Sequence, residues 1–124
     1  MNFENKVISR EIQQFLYDSN KTLGTAESCT GGRIAEVIAA VPGASNYFKG
    51  GIIAYSNELK IRLLGVNAQV IEDQSAVCEE VAMQMAVGLC QTINCDYAIA
   101  ITGIAGPGGC LLYTSPSPRD ATLS

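Results

Sequence analysis

Residues Thr25 to Gly32, "TAESCTGG", set the hydroxyls of Ser28 and Thr30, the thiol of Cys29 and the carboxylate of Glu27 ahead of a glycine pair. A hydroxyl or thiol attacks efficiently only when a neighbouring base takes its proton. The usual base is missing, because the 124-residue chain has no histidine. Ser-His-Asp and Cys-His arrangements are therefore excluded, and an activated hydroxyl needs a lysine, a carboxylate or a metal. Of the lysines, Lys6 and Lys21 flank the first predicted helix and Lys49 precedes a strand, whereas Lys60 falls one turn into the helix that follows Tyr55. An ordinary lysine titrates near 10.4, and a base working near neutrality needs roughly 7 to 8, a change worth about 4 kcal/mol that burial can supply. The residues alone leave open that Lys60 is simply a solvated helix residue.

Ser28 and Thr30, two apart, share one side of an extended backbone, with Glu27 and Cys29 on the other. Gly31 and Gly32 allow close backbone approach and open a helix whose free N–H groups favour a negative oxygen or a phosphate. The loop reads as an oxyanion hole or a phosphate cradle, or Ser28 or Thr30 merely caps the helix. It is not a Walker loop, since no Gly-Lys-Ser/Thr follows. A second glycine-rich loop, Gly103 to Gly109, "GIAGPGG", either offers amides to a phosphate or makes a tight turn. The five cysteines form no CxxC pair, so they read as reduced thiols and neither a metal nor a cofactor is expected.

These loops must be held by regular elements. Ile8, Ile12, Phe15 and Leu16 mark one face of an amphipathic helix over Glu4 to Ser19, and a short strand follows that ends near Ala26. Ile34, Val37, Ile38 and Val41 mark a helix over Gly32 to Val41, stopped by Pro42-Gly43. "GIIAY", Gly51 to Tyr55, reads as a buried strand, followed by a helix capped by Ser56 or Asn57 and ending at Gly65. A helix over Ala68 to Asp73 comes next, then one capped by Ser75 and running through Thr92, with Val77, Val81, Met85 and Leu89 as its core face. "DYAIAIT", Asp96 to Thr102, is a buried strand. Strands alternating with helices predict an α/β fold whose ligand lies beyond the strands' carboxyl ends, where Tyr55 and both glycine loops fall.

Hydrophobic residues at 48% and charged residues at 16% suit one folded domain rather than a disordered chain. A net charge of −4 argues against nucleic acid as a partner. No apolar run approaches the roughly 18 residues of a membrane span, and the first ten residues lack a signal-peptide core, so a cytoplasmic location without membrane contact is expected. After Gly109 the segment "CLLYTSPSPRDATLS" turns rich in Ser and Pro and loses periodicity, the composition of a disordered tail. Its first eleven residues match one reading frame of a transposase sequencing adaptor, which predicts that 110–124 are a non-native tail and that 1–109 form the domain.

In this order, "TAESCTGG", "GGIIAYSNELK", "AVCEEVAMQMAVG" and "DYAIAITGIAGPGG" closely resemble the CinA C-terminal domain family of nicotinamide-nucleotide amidases. The resemblance implies a layered α/β/α sandwich with a central sheet, and deamidation of nicotinamide mononucleotide to nicotinate mononucleotide and ammonia. It places a Ser-Lys pair on Ser28 and Lys60, with no metal. Amides around Thr30, Gly31 and Gly32 would hold the oxyanion, Tyr55 would stack on the pyridinium, and Thr102, Gly103 and Gly106 would meet the phosphate or ribose. Cys29 with Glu27 and Lys60, as in nitrilase-type amidases, is the rival constellation. The resemblance also implies a homodimer in the intact family member and a stand-alone form here, since no molybdopterin-binding-like domain precedes the motifs. The family continues past its glycine loop with further strands and a helix, so this chain is expected to end early, to expose a sheet edge, and to turn over the nucleotide weakly or not at all. The competing class is a non-catalytic module that senses a nucleotide or binds a partner.

Overall fold

A computed structural model of the chain describes residues 10–103 and 110–116. The pattern of small and branched side chains along its strands decides the layering. In β3 (Tyr97–Gly103), Ala98 and Ala100 face one apolar cluster while Tyr97, Ile99 and Ile101 face another. β1 (Leu23–Glu27) is buried along its whole length and runs parallel both to β3 and to β2 (Phe48–Ile53). With β4 (Cys110–Pro116) antiparallel on β3, the sheet order is β2-β1-β3-β4.

On one face lie α1 (Arg10–Ser19) and α2 (Arg33–Ala39), which bury Leu16, Ile34 and Ile38 against Leu23, Ile99 and Ile101. On the other lie α3 (Asn57–Leu64), α4 (Ala68–Gln74) and α5 (Glu79–Ile93). There Val81, Met85, Ala86 and Leu89 pack on Ala26, Ala98 and Ala100. Alanines on the sheet let α5 sit close, and Gly88 lets it sit close to α3: a Cβ at that position would lie 1.7 Å from the Leu64 carbonyl oxygen. The expected α/β/α sandwich is therefore what the described residues form. Among them no helix is long and apolar enough to cross a membrane.

Three expectations change. β2 begins at Phe48 rather than Gly51 and stops before Tyr55, and it is not buried throughout. As an edge strand it alternates half-buried and exposed residues, so the apolar run "GIIAY" does not mean burial on both faces. Ser75 does not cap α5: it has a positive φ of 72° at the end of α4, and its hydroxyl accepts from the Val77 amide, while Cys78 takes the N-cap position. Residues 110–116 are not a structureless tail. They complete the ladder along β3, from Gly103 opposite Cys110 to Tyr97 opposite Pro116. The unpaired N–H and C=O groups of an edge strand template such an addition, and Tyr and Thr are residue types that favour strands. The edge on that side of the sheet is therefore β4 rather than β3. Residues 1–9, 104–109 and 117–124 lie outside the described residues, and with them the start of the first predicted helix and most of the second glycine loop.

Candidate active site

Because β1, β2 and β3 are parallel, their carboxyl ends converge, and the polar burial of the molecule concentrates there. Among the described residues the buried polar side chains are Thr25, Glu27, Ser28, Lys60 and Thr102. Ser28 follows β1, the middle strand of the parallel three. Its N–H donates to the Ile101 carbonyl of β3 (3.0 Å), and the Ala54 N–H beyond β2 donates to the Glu27 carbonyl (2.7 Å). The serine backbone is thereby held from both sides.

Lys60 arrives from α3. The Ser56 hydroxyl caps this helix by accepting from the Leu59 amide (3.2 Å), and Gly65 closes it in the left-handed conformation. Helical side chains lean toward the helix N-terminus, so Lys60, one turn in, falls back over the entry to α3. Its Nζ donates to the Tyr55 carbonyl (3.3 Å) and to Asn57 Oδ1 (3.4 Å). Ser28 Oγ donates over 3.5 Å to the same Tyr55 carbonyl. The nucleophile candidate and the base candidate therefore share one acceptor, no farther apart than those two hydrogen bonds laid end to end. Lys60 is only 2% exposed, and burial pulls its pKa below the ordinary 10.5. Among the described residues no carboxylate lies within ion-pair distance of it. The solvated reading of Lys60 is excluded.

The loop itself differs from expectation. Residues 28–32 form a turn, not an extended segment: the Gly31 amide donates to the Ser28 carbonyl (3.0 Å), and Gly31 and Gly32 take φ values of 61° and 109°. Only glycine adopts these cheaply. Alternation therefore fails, and Thr30 and Glu27 meet: Thr30 Oγ1 donates to Glu27 Oε1 (2.7 Å). The same carboxylate accepts from the Ile34 amide (2.8 Å) and the Ala35 amide (2.9 Å). These are the α2 amides that an N-cap side chain normally satisfies, and the N-cap residue here is Gly32, which has no side chain. Neither Ser28 nor Thr30 caps the helix, and its N-terminus is no phosphate cradle, since Glu27 occupies it. The amides of Thr30 and Gly32 have no protein acceptor among the described residues.

The remaining expected residues separate. Tyr55 contributes its carbonyl, while its side chain is 60% exposed. The Thr102 hydroxyl, buried at the end of β3, donates to the Ala76 carbonyl (2.7 Å) and so ties β3 to the turn before α5. Gly103 closes β3 at the same end of the sheet, and Gly106 lies outside the described residues. Cys29 is disulfide-bonded, so the expectation of five reduced thiols fails there and its sulfur offers no thiolate. Sequence reasoning missed Glu27 as the cap of α2 and Asn57 as a partner of Lys60. The signal for the first is a helix starting on Gly-Gly with no capping side chain. For the second it is the i, i+3 spacing that puts two residues on one helix face.

Residues 5–112 match the model of the CinA C-terminal domain family. A CinA-like protein of Thermosynechococcus vestitus is 48% identical over 101 residues, covering 82% of this chain and 24% of the relative. Another, from Gloeothece citriformis, is 50% identical over 103 residues, covering 83% of this chain and 24% of the relative. The chain thus spans about a quarter of the length of these curated relatives. Among solved structures, the competence/damage inducible protein CihA of Agrobacterium tumefaciens superimposes with a TM-score of 0.82 at 32% identity, covering 94% of this chain and 75% of that one. A CinA superfamily protein of Escherichia coli superimposes with a TM-score of 0.76 at 30% identity, covering 93% and 84%.

Proposed function

The chain belongs to the CinA C-terminal domain family, and we propose that it is the amide-hydrolysing unit of a nicotinamide-nucleotide amidohydrolase working through Ser28 and Lys60. The observation that carries this reading is the convergence of Ser28 Oγ and a buried, carboxylate-free Lys60 Nζ on the Tyr55 carbonyl. A lysine whose ammonium is poorly solvated gives up its proton more readily than a free one, and the neutral amine then accepts one from the seryl hydroxyl. Ser28 Oγ attacks the carboxamide carbon while its proton passes to Lys60. The tetrahedral oxyanion rests on the Thr30 and Gly32 amides, a type of donor worth about 3 to 4 kcal/mol when removed in other enzymes. Collapse breaks the C–N bond, and Lys60 returns the proton to departing ammonia. Water, deprotonated by Lys60, then attacks the seryl ester; the C–Oγ bond breaks, Lys60 returns the proton to Ser28 Oγ, and the carboxylate leaves. The choice of nicotinamide mononucleotide as substrate rests on the sequence motifs of the family.

Two measurements test the reading. A fluorophosphonate probe, which needs no substrate pocket, should label the chain at Ser28 and not label Ser28→Ala. Nicotinamide mononucleotide should yield ammonia above the Ser28→Ala background, and Cys29→Ala should retain most of that yield. Ammonia release that persists in Ser28→Ala overturns the mechanism. A nucleotide that binds and is recovered unchanged, both from this chain when it labels and from a full-length family member that labels at the matching serine, overturns the substrate and favours a sensing role.

A further inference from the structure

We propose that Glu27 is the positioning residue of the nucleophile loop: its buried carboxylate, bridging the Thr30 hydroxyl and the first-turn amides of α2, holds Ser28 and the Thr30 and Gly32 amides in one register. The proposal rests on the reading of Ser28 as nucleophile. Glu27 is 1% exposed, and its acceptor contacts at 2.7, 2.8 and 2.9 Å are all shorter than the hydrogen bonds of Ser28 Oγ and Lys60 Nζ. Its own backbone carbonyl takes the Ala54 amide, so its main chain is fixed to β2 while its side chain is fixed to α2. Between these anchors lies a five-residue turn with two left-handed glycines, which has little conformational preference of its own. Without the carboxylate, two helix amides and a threonine hydroxyl lose their acceptor, while the Ser28 amide bond to Ile101 and the Cys29 disulfide still hold the start of the turn. The attacking oxygen and the oxyanion donors then drift relative to each other, and a misplacement near 1 Å costs about 100-fold in rate.

Glu27 touches neither Ser28 Oγ nor Lys60 Nζ through a side-chain hydrogen bond, so a role through the turn differs measurably from acid-base chemistry. Glu27→Gln keeps the shape but turns one acceptor into a donor aimed at a backbone N–H. The expected result is a fluorophosphonate labelling rate lower by about 100-fold. The pH midpoint set by Lys60 should not move, and the KM for nicotinamide mononucleotide should change less than about twofold. Amide exchange at Ile34 and Ala35 should accelerate. Should Glu27→Gln fail to fold, Thr30→Val removes one of the three bonds, and its labelling rate should fall about 10-fold with exchange at the same amides faster. A wild-type labelling rate in the folded Glu27→Gln variant, or in Thr30→Val, overturns the proposal, as does a displaced pH midpoint. A wild-type chain that labels at Ser28 but releases no ammonia overturns the substrate alone, and the labelling rates still decide Glu27.

Discussion

Glu27 and Lys60 are both buried ionisable residues at the carboxyl end of the sheet, yet they are treated in opposite ways. The carboxylate is saturated, with three donors between 2.7 and 2.9 Å. The amine has two neutral oxygen acceptors at 3.3 and 3.4 Å. A buried charge that is fully hydrogen-bonded stiffens its surroundings, whereas one left with weak neutral partners gives up its charge more readily. Burial alone therefore does not identify the reactive group; the degree of satisfaction does. By that measure Glu27 is tied into the scaffold, and Lys60 is left as the candidate for the proposed chemistry.

Lys60→Met breaks this contrast most directly. Methionine keeps most of the apolar stem and removes the amine, so labelling of Ser28 should fall by about a thousandfold, within the usual range for loss of a general base. The thermal midpoint should rise, because a buried amine without a carboxylate gives way to an apolar group of similar volume. A folded Lys60→Met that labels at the wild-type rate ends the case for the dyad. The wild-type chain should show the matching pH dependence. With the folded pKa below the unfolded 10.5, the unfolded chain binds more protons in the interval between them, so stability should increase with pH through that window. A flat or falling midpoint there contradicts the burial of Lys60.

Gly88→Ala attacks the desolvation itself. A methyl group there meets the Leu64 carbonyl at 1.7 Å, so α3 must move off α5. The expected loss is about 2 to 3 kcal/mol in urea unfolding. With α3 displaced, water reaches Lys60, and the midpoint of labelling against pH should move up toward the ordinary lysine value. Asn57→Asp leaves the packing and changes the partner. A carboxylate three residues before Lys60 favours the ammonium, so the labelling midpoint should rise by about one pH unit with little change in the plateau. An unmoved midpoint removes Asn57 from the site.

The nearness of Ser28 to Lys60 was legible because its signals are local. The absence of histidine narrows the base, the Gly-Gly pair marks a turn at a strand end, and Lys60 sits one turn beyond a Ser56 cap. Glu27 was not legible, because a carboxylate that caps a helix from the preceding strand depends on where α2 packs. Alternation failed for the same reason, since it presumes an extended chain where the glycines make a turn. β2 starts earlier than expected because Lys49 and the glycines of "FKGGII" weaken its strand signal beside the apolar "GIIAY", and only an edge position accounts for its half-burial. β4 was missed because composition describes what a segment prefers when alone, while an unpaired strand edge supplies a partner.

The smallest expected effect comes from the outer side of α3. Arg62 and Glu58 form an i, i+4 ion pair at 3.2 Å with side chains 67% and 71% exposed. Here two charges have each other and water as well, the reverse of Lys60. Solvent screens their attraction, and such pairs contribute about 0.3 to 0.5 kcal/mol. Arg62→Ala should therefore lower the thermal midpoint by about one to two degrees, with less effect at high salt, and should leave both the labelling rate and its pH midpoint where they are. If instead Arg62→Ala moves that midpoint, Lys60 feels charges across the helix. Its pKa would then be set by long-range electrostatics rather than by loss of solvent, and the contrast with Glu27 would need a different physical basis.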